Sequence, residues 1–178
     1  MHHLFINDLL LLSPLLESDK PNLLLYMNDP VLFANTLRVP SPYTQQDADD
    51  WVRKATEKNA AFGIDLELAI RHRDAGVIGS IGCFVKDGLQ GHLDEIGYWL
   101  AAPYRGQGIM TAVVRRYTDY LFEKRPPLVR IEAKTLPTNP ASGRVLEKAG
   151  FEREGYLRKI SVKNGQYLDS VLFALIRP

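Results

Sequence analysis

The sequence predicts a mixed α/β fold on a largely antiparallel sheet, and three patterns carry that expectation. Residues 64–71 alternate, with Ile64, Leu66, Leu68 and Ile70 on one face and Asp65, Glu67 and Ala69 on the other, the period of a half-buried strand. Residues Ile109, Ala112, Val113, Arg116, Tyr117, Tyr120 and Leu121 recur at helical spacing as far as Pro126-Pro127. That is an amphipathic helix laid on a sheet and stopped by proline. The last strand-like runs, Tyr156 to Val162 and Tyr167 to Ile176, flank Asn164-Gly165, a dipeptide suited to two-residue hairpins.

The remaining elements follow in order. Phe5 to Leu12 reads as a first strand; Pro21 to Phe33 and Gln45 to Lys58 read as helices, separated by the turn-rich Arg38 to Tyr43. Gln46, Asp47, Asp49 and Asp50 crowd an acidic first turn, which suits the positive end of a helix dipole. Arg73 to Gly76 is a hairpin turn into the apolar run Val77 to Val85; Asp87-Gly88 and Gly91 then lead to a strand over Glu95 to Ala101. Val129 to Thr135 alternates as another strand, giving about seven in all. Asn139 caps a short helix with Pro140 at its first position and Gly150 at its end. No linker or internal repeat interrupts the chain, so one domain is expected over residues 1–178.

Composition narrows the function. With 178 residues, 46% hydrophobic and 24% charged, the chain suits one sizeable core. A net charge of +1 argues against a nucleic-acid binder, which works by neutralising phosphates. The single cysteine, Cys83, rules out an intramolecular disulfide and fits a reducing compartment; its apolar setting suits a buried residue rather than a nucleophile. Leu9 to Leu12 is too short to span a membrane, and Asp8 and Pro14 make it a poor signal peptide, so a cytoplasmic location without membrane contact is expected. Nothing rests on His2 and His3.

The most informative stretch is residues 103–110. Gly106 and Gly108 sit where a strand ends and the long helical pattern begins. The first amides of a helix have no intrahelical partner, and the dipole favours an anion there. Glycines let the backbone approach a phosphate closely.

In this context Arg105-x-x-Gly108-x-Met110 resembles the R/Q-x-x-G-x-G/A pyrophosphate loop of the GNAT superfamily of acetyl-CoA-dependent N-acetyltransferases. Asn139-Pro-Ala-Ser142 with Leu146 to Phe151 resembles that superfamily's second cofactor motif, placed here at 138–151. Glu95-Ile-Gly-Tyr-Trp, Gly106 to Thr111 and Asn139-x-x-Ser142 are similar to the branch of ribosomal-protein (alanine or serine) N-terminal acetyltransferases. Two positions depart from the superfamily pattern. Met110 stands where Gly or Ala is usual, and Leu146 where many members carry the tyrosine that protonates the departing thiolate.

The resemblance implies a fold in which two central parallel strands splay apart around acetyl-CoA, the cosubstrate, with no metal. It places the pyrophosphate on the amides of Gln107, Gly108, Ile109 and Met110, with Gly106 and Arg105 shaping or charging the loop. It pairs the strand edge at Trp99, Leu100 and Ala101 with the pantetheine amides, and an amide of that segment with the oxyanion. Asn139 and Ser142 face the cofactor, and Arg144 either reaches the ribose phosphate or sits in solvent; for Asn139 a capping role stands beside the contact.

The chemistry is amine attack on a thioester. Deprotonating a lysine near pH 7.4 costs about 4 kcal/mol, an α-amine under about 1 kcal/mol, so a peptide N-terminus asks less of a base. By resemblance Glu95 is the base, directly or through water, and Ser142 the acid or thiol-side donor. Tyr156, Tyr167 and Asp169 are weaker candidates near the acceptor. Glu95, Gly97 and Trp99 share a face on strict alternation, although a bulge expected in this family would disturb that count. The expected acceptor is a protein or peptide N-terminal amine. Small amines, either polyamines, with Asp47, Asp49 and Asp50 as a trap, or aminoglycoside-like compounds, and a non-catalytic acyl-CoA sensor are the alternatives. Either a monomer or a homodimer suits this reading. A dinucleotide module is disfavoured, because the third glycine and the downstream acid of its fingerprint are missing.

Overall fold

The computed structural model describes residues 3–177; His2 and the extreme ends of the expected domain, residues 1, 2 and 178, lie outside the described residues. Its frame is an eight-stranded sheet in the order β1-β2-β3-β4-β5-β6-β8-β7. The strands are β1 (Leu4–Phe5), β2 (Leu10–Pro14), β3 (Glu67–His72), β4 (Gly76–Val85), β5 (Leu93–Leu100), β6 (Arg130–Thr135), β7 (Glu152–Lys163) and β8 (Gln166–Ile176). The helices are α1 (Lys20–Met27), α2 (Pro30–Asn35), α3 (Gln45–Phe62), α4 (Ile109–Lys124) and α5 (Pro140–Lys148).

Only β5 and β6 are parallel neighbours, and they pair from Leu93↔Arg130 to Ile96↔Ala133. Beyond Ile96 the two strands part: β5 stays on β4 as far as Leu100↔Gly79, while β6 stays on β8 as far as Thr135↔Val171. That divergence opens the sheet at its centre.

Each face of the sheet carries its own core. Helices α4 and α5 cover one face, where Val113, Tyr117, Leu121 and Leu146 are fully buried against Leu68, Ile81 and Ile131. Side chains of this size contribute about 1.5–3 kcal/mol each on burial. Helices α1, α2 and α3 cover the other, with Leu23, Met27, Ala48 and Val52 around Ala69 and Trp99. Hydrogen bonds from Tyr117 Oη to the Leu66 carbonyl (2.9 Å) and from the Asp65 N–H to Tyr120 Oη (2.9 Å) tie α4 to the segment that leads into β3.

Several sequence expectations need correction. The first strand is two strands: Asn7 Oδ1 accepts the N–H groups of Leu9 and Leu10 and folds residues 6–10 into a turn. The helix read over Pro21 to Phe33 breaks, because Pro30 has no N–H to continue α1 and Asp29 starts α2 by accepting from the Val31 N–H. Helix α3 runs on to Phe62 and ends at Gly63 with φ 66°, a left-handed position that favours glycine. Strand β3 begins at Glu67 and is covered on both faces, since Ala69 packs under α3 while Leu68 and Ile70 pack under α4. The bulge expected in β5 is absent, since its register with β4 runs unbroken from Leu100 to Asp94; register shifts fall instead at Ile70/Arg71 in β3 and at Arg153/Gly155 and Leu157/Ser161 in β7. In the terminal hairpin Asn164 (φ 50°) and Gly165 (φ 75°) form the turn, as their sequence anticipates.

Candidate active site

The phosphate-loop residues lie at the mouth of the sheet opening. Strand β5 ends at Leu100, Ala102–Tyr104 form a short 3-10 turn, and Gly108 (φ 78°) starts α4 with no side-chain cap on its first amides. A Cβ built at Gly106 or at Gly108 would meet nothing within 4 Å, so the backbone there faces open space. Gln107 Nε2 donates to the Pro103 carbonyl (2.9 Å), while Met110 turns its side chain into the core. The exposed features of the loop are therefore its N–H groups, and that cradle fits an anion.

Arg105 is turned away from that cradle. Its Nε donates to the Leu100 carbonyl (2.9 Å) and its guanidinium pairs with Asp29 Oδ2 at 2.6 Å, at the start of α2. The residue thus braces the loop against β5 and α2. Asp29, unremarkable in sequence, receives this bond because the Pro30 break brings it there.

The edge of β5 resolves by alternation. The Ala101 N–H donates to the Ile78 carbonyl on β4 (2.8 Å), and the backbone groups of Trp99 point the same way. Those of Tyr98 and Leu100 face the opening. The Leu100 carbonyl is held by Arg105, which leaves the Leu100 N–H beside the Tyr98 backbone groups at the opening, and Tyr98 enters the site as an addition. Tyr98 lies within the Glu95-Ile-Gly-Tyr-Trp phrase, but no local pattern gives it a partner, since Ser142 stands 44 residues away.

Across the opening stands α5. Asn139 Oδ1 accepts from the Ser142 N–H (3.3 Å), so its capping role is present. Tyr98 Oη sits 2.9 Å from Ser142 Oγ and donates to the Ser142 carbonyl (3.2 Å), and burial pushes its phenol up to about 12. Leu146 is fully buried beneath, so no acid operates at that position. Arg144 is exposed on the outer side of α5.

Glu95, Gly97 and Trp99 share the α3 face, as alternation requires; Trp99 packs there beside Trp51 at 6.1 Å between ring centroids. Glu95 is not free. Its Oε2 receives Lys134 Nζ at 2.7 Å and Lys86 Nζ at 2.9 Å. Burial would raise its carboxyl, but the two ammonium groups prevail and hold it below the usual carboxylate range. The carboxylate is therefore ionised at neutral pH, and neither lysine was anticipated.

Glu67 reaches the same face. Its carboxylate fills the space over Gly82, held by Lys58 Nζ (3.2 Å) and Ser80 Oγ (3.1 Å). The weaker candidates lie on the terminal hairpin: Tyr156 Oη donates to Asp169 Oδ2 (2.8 Å), while Tyr167 is 68% exposed. The acidic turn is structural. Asp47 completes a capping box with Thr44, Asp49 pairs with Lys20 and Asp50 with Arg53. Cys83 is buried, its thiol pushed up to about 12 by burial, and Sγ donates to Asp94 Oδ2 at 3.3 Å. Among the described residues no group of three or more metal-ligating side chains is gathered.

A mostly antiparallel sheet opened between its two parallel strands, with an uncapped glycine loop at the opening, is an acyl-CoA transferase architecture. The chain belongs to the acetyltransferase (GNAT) domain family, which it matches over residues 10–152. Among relatives it is 42% identical over 59% of its length to YjcK of Bacillus subtilis, named a probable N-acetyltransferase, and spans 58% of that protein. It is 33% identical to the [ribosomal protein uS5]-alanine N-acetyltransferase of Escherichia coli over 49% of this chain and 44% of that one. Its fold superposes on RimL, the ribosomal L7/L12 alpha-N-protein acetyltransferase solved with coenzyme A, with a TM-score of 0.84, 22% identity and 98% of each chain covered. No described helix is long and apolar enough to cross a membrane.

Proposed function

We propose that this chain moves an acetyl group from acetyl-CoA to a primary amine by direct attack in a ternary complex, and that the acceptor is the N-terminal amine of a protein or peptide. The observation that carries this reading is the coincidence of the uncapped α4 start with the opening between β5 and β6. A long phosphate-bearing donor lies along that line, its pyrophosphate on the amides of Gln107 to Met110 and its chain against the free edge of β5. The donor supplies an activated thioester carbonyl.

The residues around that carbonyl do the rest. The Leu100 N–H is positioned to steady the developing oxyanion. Ser142 Oγ, held by Tyr98 Oη, is the proton donor on the thiol side. Glu95 is ionised and accepts the amine's proton through water; so weak a base suits an α-amine better than a lysine, because with a reference pKa near 8 much of the amine is already neutral near pH 7.4. Holding both substrates in one cleft supplies much of the rate.

Acetyl-CoA-dependent thiol release against N-terminal peptides, lysine peptides and polyamines tests the proposal. Release with peptides beginning Ser, Ala or Thr is expected. Binding of acetyl-CoA without release on any amine would leave the fold as a sensor, and no binding would remove the donor assignment.

A further inference from the structure

Beyond its N-terminal amine, the acceptor has a chemistry that the sheet face below the opening defines. Four cations converge there. Lys86 and Lys134 share one carboxylate, Glu95. Lys58 pairs with Glu67 and also stands 5.3 Å from the centre of the Phe84 ring. Arg38, from the segment between α2 and α3, lays its guanidinium 4.2 Å from the same centre and has no carboxylate partner among the described residues.

These groups surround one spot. Phe84 lies opposite Glu95, and Glu67 and Gly97 flank Gly82 across the strands. A Cβ at Gly97 would touch the Phe84 ring at 3.2 Å, so that glycine leaves the ring edge bare. The neighbouring carboxylate of Glu132 is engaged by Arg130 at 2.8 Å. Four cations against Glu67 and Glu95 leave the mouth with two uncompensated positive charges. Arg38 is exposed and Lys86 is 41% exposed, so this field reaches solvent and is open to screening by salt.

We propose that the acceptor carries an anionic group close to its amine, and that Arg38 receives that group over Phe84. This rests on the transferase reading above and narrows it. The same field repels ammonium and so favours the neutral amine that attacks. It also disfavours polyamines, for which the partnered Asp47, Asp49 and Asp50 provide no compensating trap. An acidic second residue in a peptide and the α-carboxylate of a free amino acid are two sources of the same chemistry.

Calorimetry on the full chain saturated with coenzyme A separates them. The probes are the C-terminal amides Ser-Glu-Ala-Tyr and Ser-Lys-Ala-Tyr, free glutamate and spermidine. The Glu peptide is expected to bind at least about tenfold more tightly than the Lys peptide at low ionic strength. That ratio should fall to about threefold or less in 0.3 M salt, roughly where the Debye length drops under 6 Å, and in Arg38→Glu. Glutamate binding as tightly as the Glu peptide would assign a small amino acid; binding of the peptide alone would assign a polypeptide N-terminus. Equal affinities, a preference for spermidine or the Lys peptide, no peptide binding, or an unchanged ratio in Arg38→Glu would each overturn the inference. Titration with acetyl-CoA keeps the two proposals apart. No heat there sinks the transferase reading, whereas normal cofactor binding without charge discrimination sinks this inference alone.

Discussion

Tyr98 Oη lies 2.9 Å from Ser142 Oγ, joining β5 to α5, the helix that stands across the sheet opening. The hydrogen bond fixes the side chain of the serine at the third position of α5, whose main chain is already held by Asn139. Removing the phenol should therefore cost orientation more than fold. Tyr98→Phe is expected to lower stability by about 1 kcal/mol and thiol-release kcat by about tenfold, with acetyl-CoA affinity nearly unchanged. Ser142→Ala should lower kcat at least as far, and the double variant should be no worse than Ser142→Ala. Additive losses would mean that the two hydroxyls act separately.

Gly108 separates a conformational cost from a binding cost. Its φ of 78° strains any side chain, yet a Cβ there meets nothing within 4 Å. Gly108→Val should fold with a loss of about 1–2 kcal/mol and lose acetyl-CoA binding by more than about a hundredfold, since its side chain stands where the phosphates approach. Retained affinity in calorimetry would move the phosphate site elsewhere.

Arg105 and Asp29 should behave as one unit. The pair is 35% and 19% exposed, so solvent screening limits its coupling to about 0.5–1 kcal/mol in a double-mutant cycle on thermal unfolding. Asp29→Asn should weaken acetyl-CoA binding through the loop although Asp29 touches no phosphate. An Asp29→Asn protein with tighter acetyl-CoA binding would instead show that Arg105, once released, prefers the pyrophosphate.

The pH profile distinguishes the base from its substrate. Because Lys134 and Lys86 depress Glu95, its contribution to stability is present above the ordinary carboxylate pKa and is lost only as pH falls through the lower folded value. The acidic limb of kcat/KM for a peptide acceptor should therefore follow the amine, near pH 8, with no inflection from Glu95 between pH 5 and 7. In Lys134→Gln the carboxyl loses its nearest cation. Its pKa should rise, and an inflection from it should appear at higher pH than in the unaltered protein, measurable as thiol release in buffers of constant ionic strength.

Cys83 is predicted inert. With the thiol pushed up to about 12 and the side chain buried, a disulfide reagent at pH 8 should titrate no thiol until the protein is unfolded, and then one. Cys83→Ala should keep full turnover. Rapid labelling of the native chain would contradict the packing of β4 against α4.

Much of this site was legible from local pattern. The glycine loop, the Asn139 cap, the hairpin turn at Asn164-Gly165 and the shared face of Glu95, Gly97 and Trp99 each follow from rules acting within a few residues. The failures have a common cause. Phe5 to Leu12 was read as one strand because Asn7 counts as one polar residue in a hydrophobic tally, whereas its side chain closes a turn. Arg105 could be given charge or shape but not both, since its partner Asp29 lies 76 residues away. The two lysines on Glu95 leave no local signal, because Lys134 belongs to the next parallel strand and Lys86 to a turn.

The sequence by itself determined the order of elements, the phosphate-loop backbone and the helix start that points at a donor, because dihedral preference, capping and periodicity are short-range. The tertiary structure alone decided which groups meet. It opened β5 from β6 at Ile96, set Tyr98 against Ser142, clamped Glu95 between two lysines and gathered Arg38 and Lys58 around Phe84. Those contacts depend on strand register and helix placement, which are set by burying two cores on one sheet and leave no mark in any local stretch of the chain.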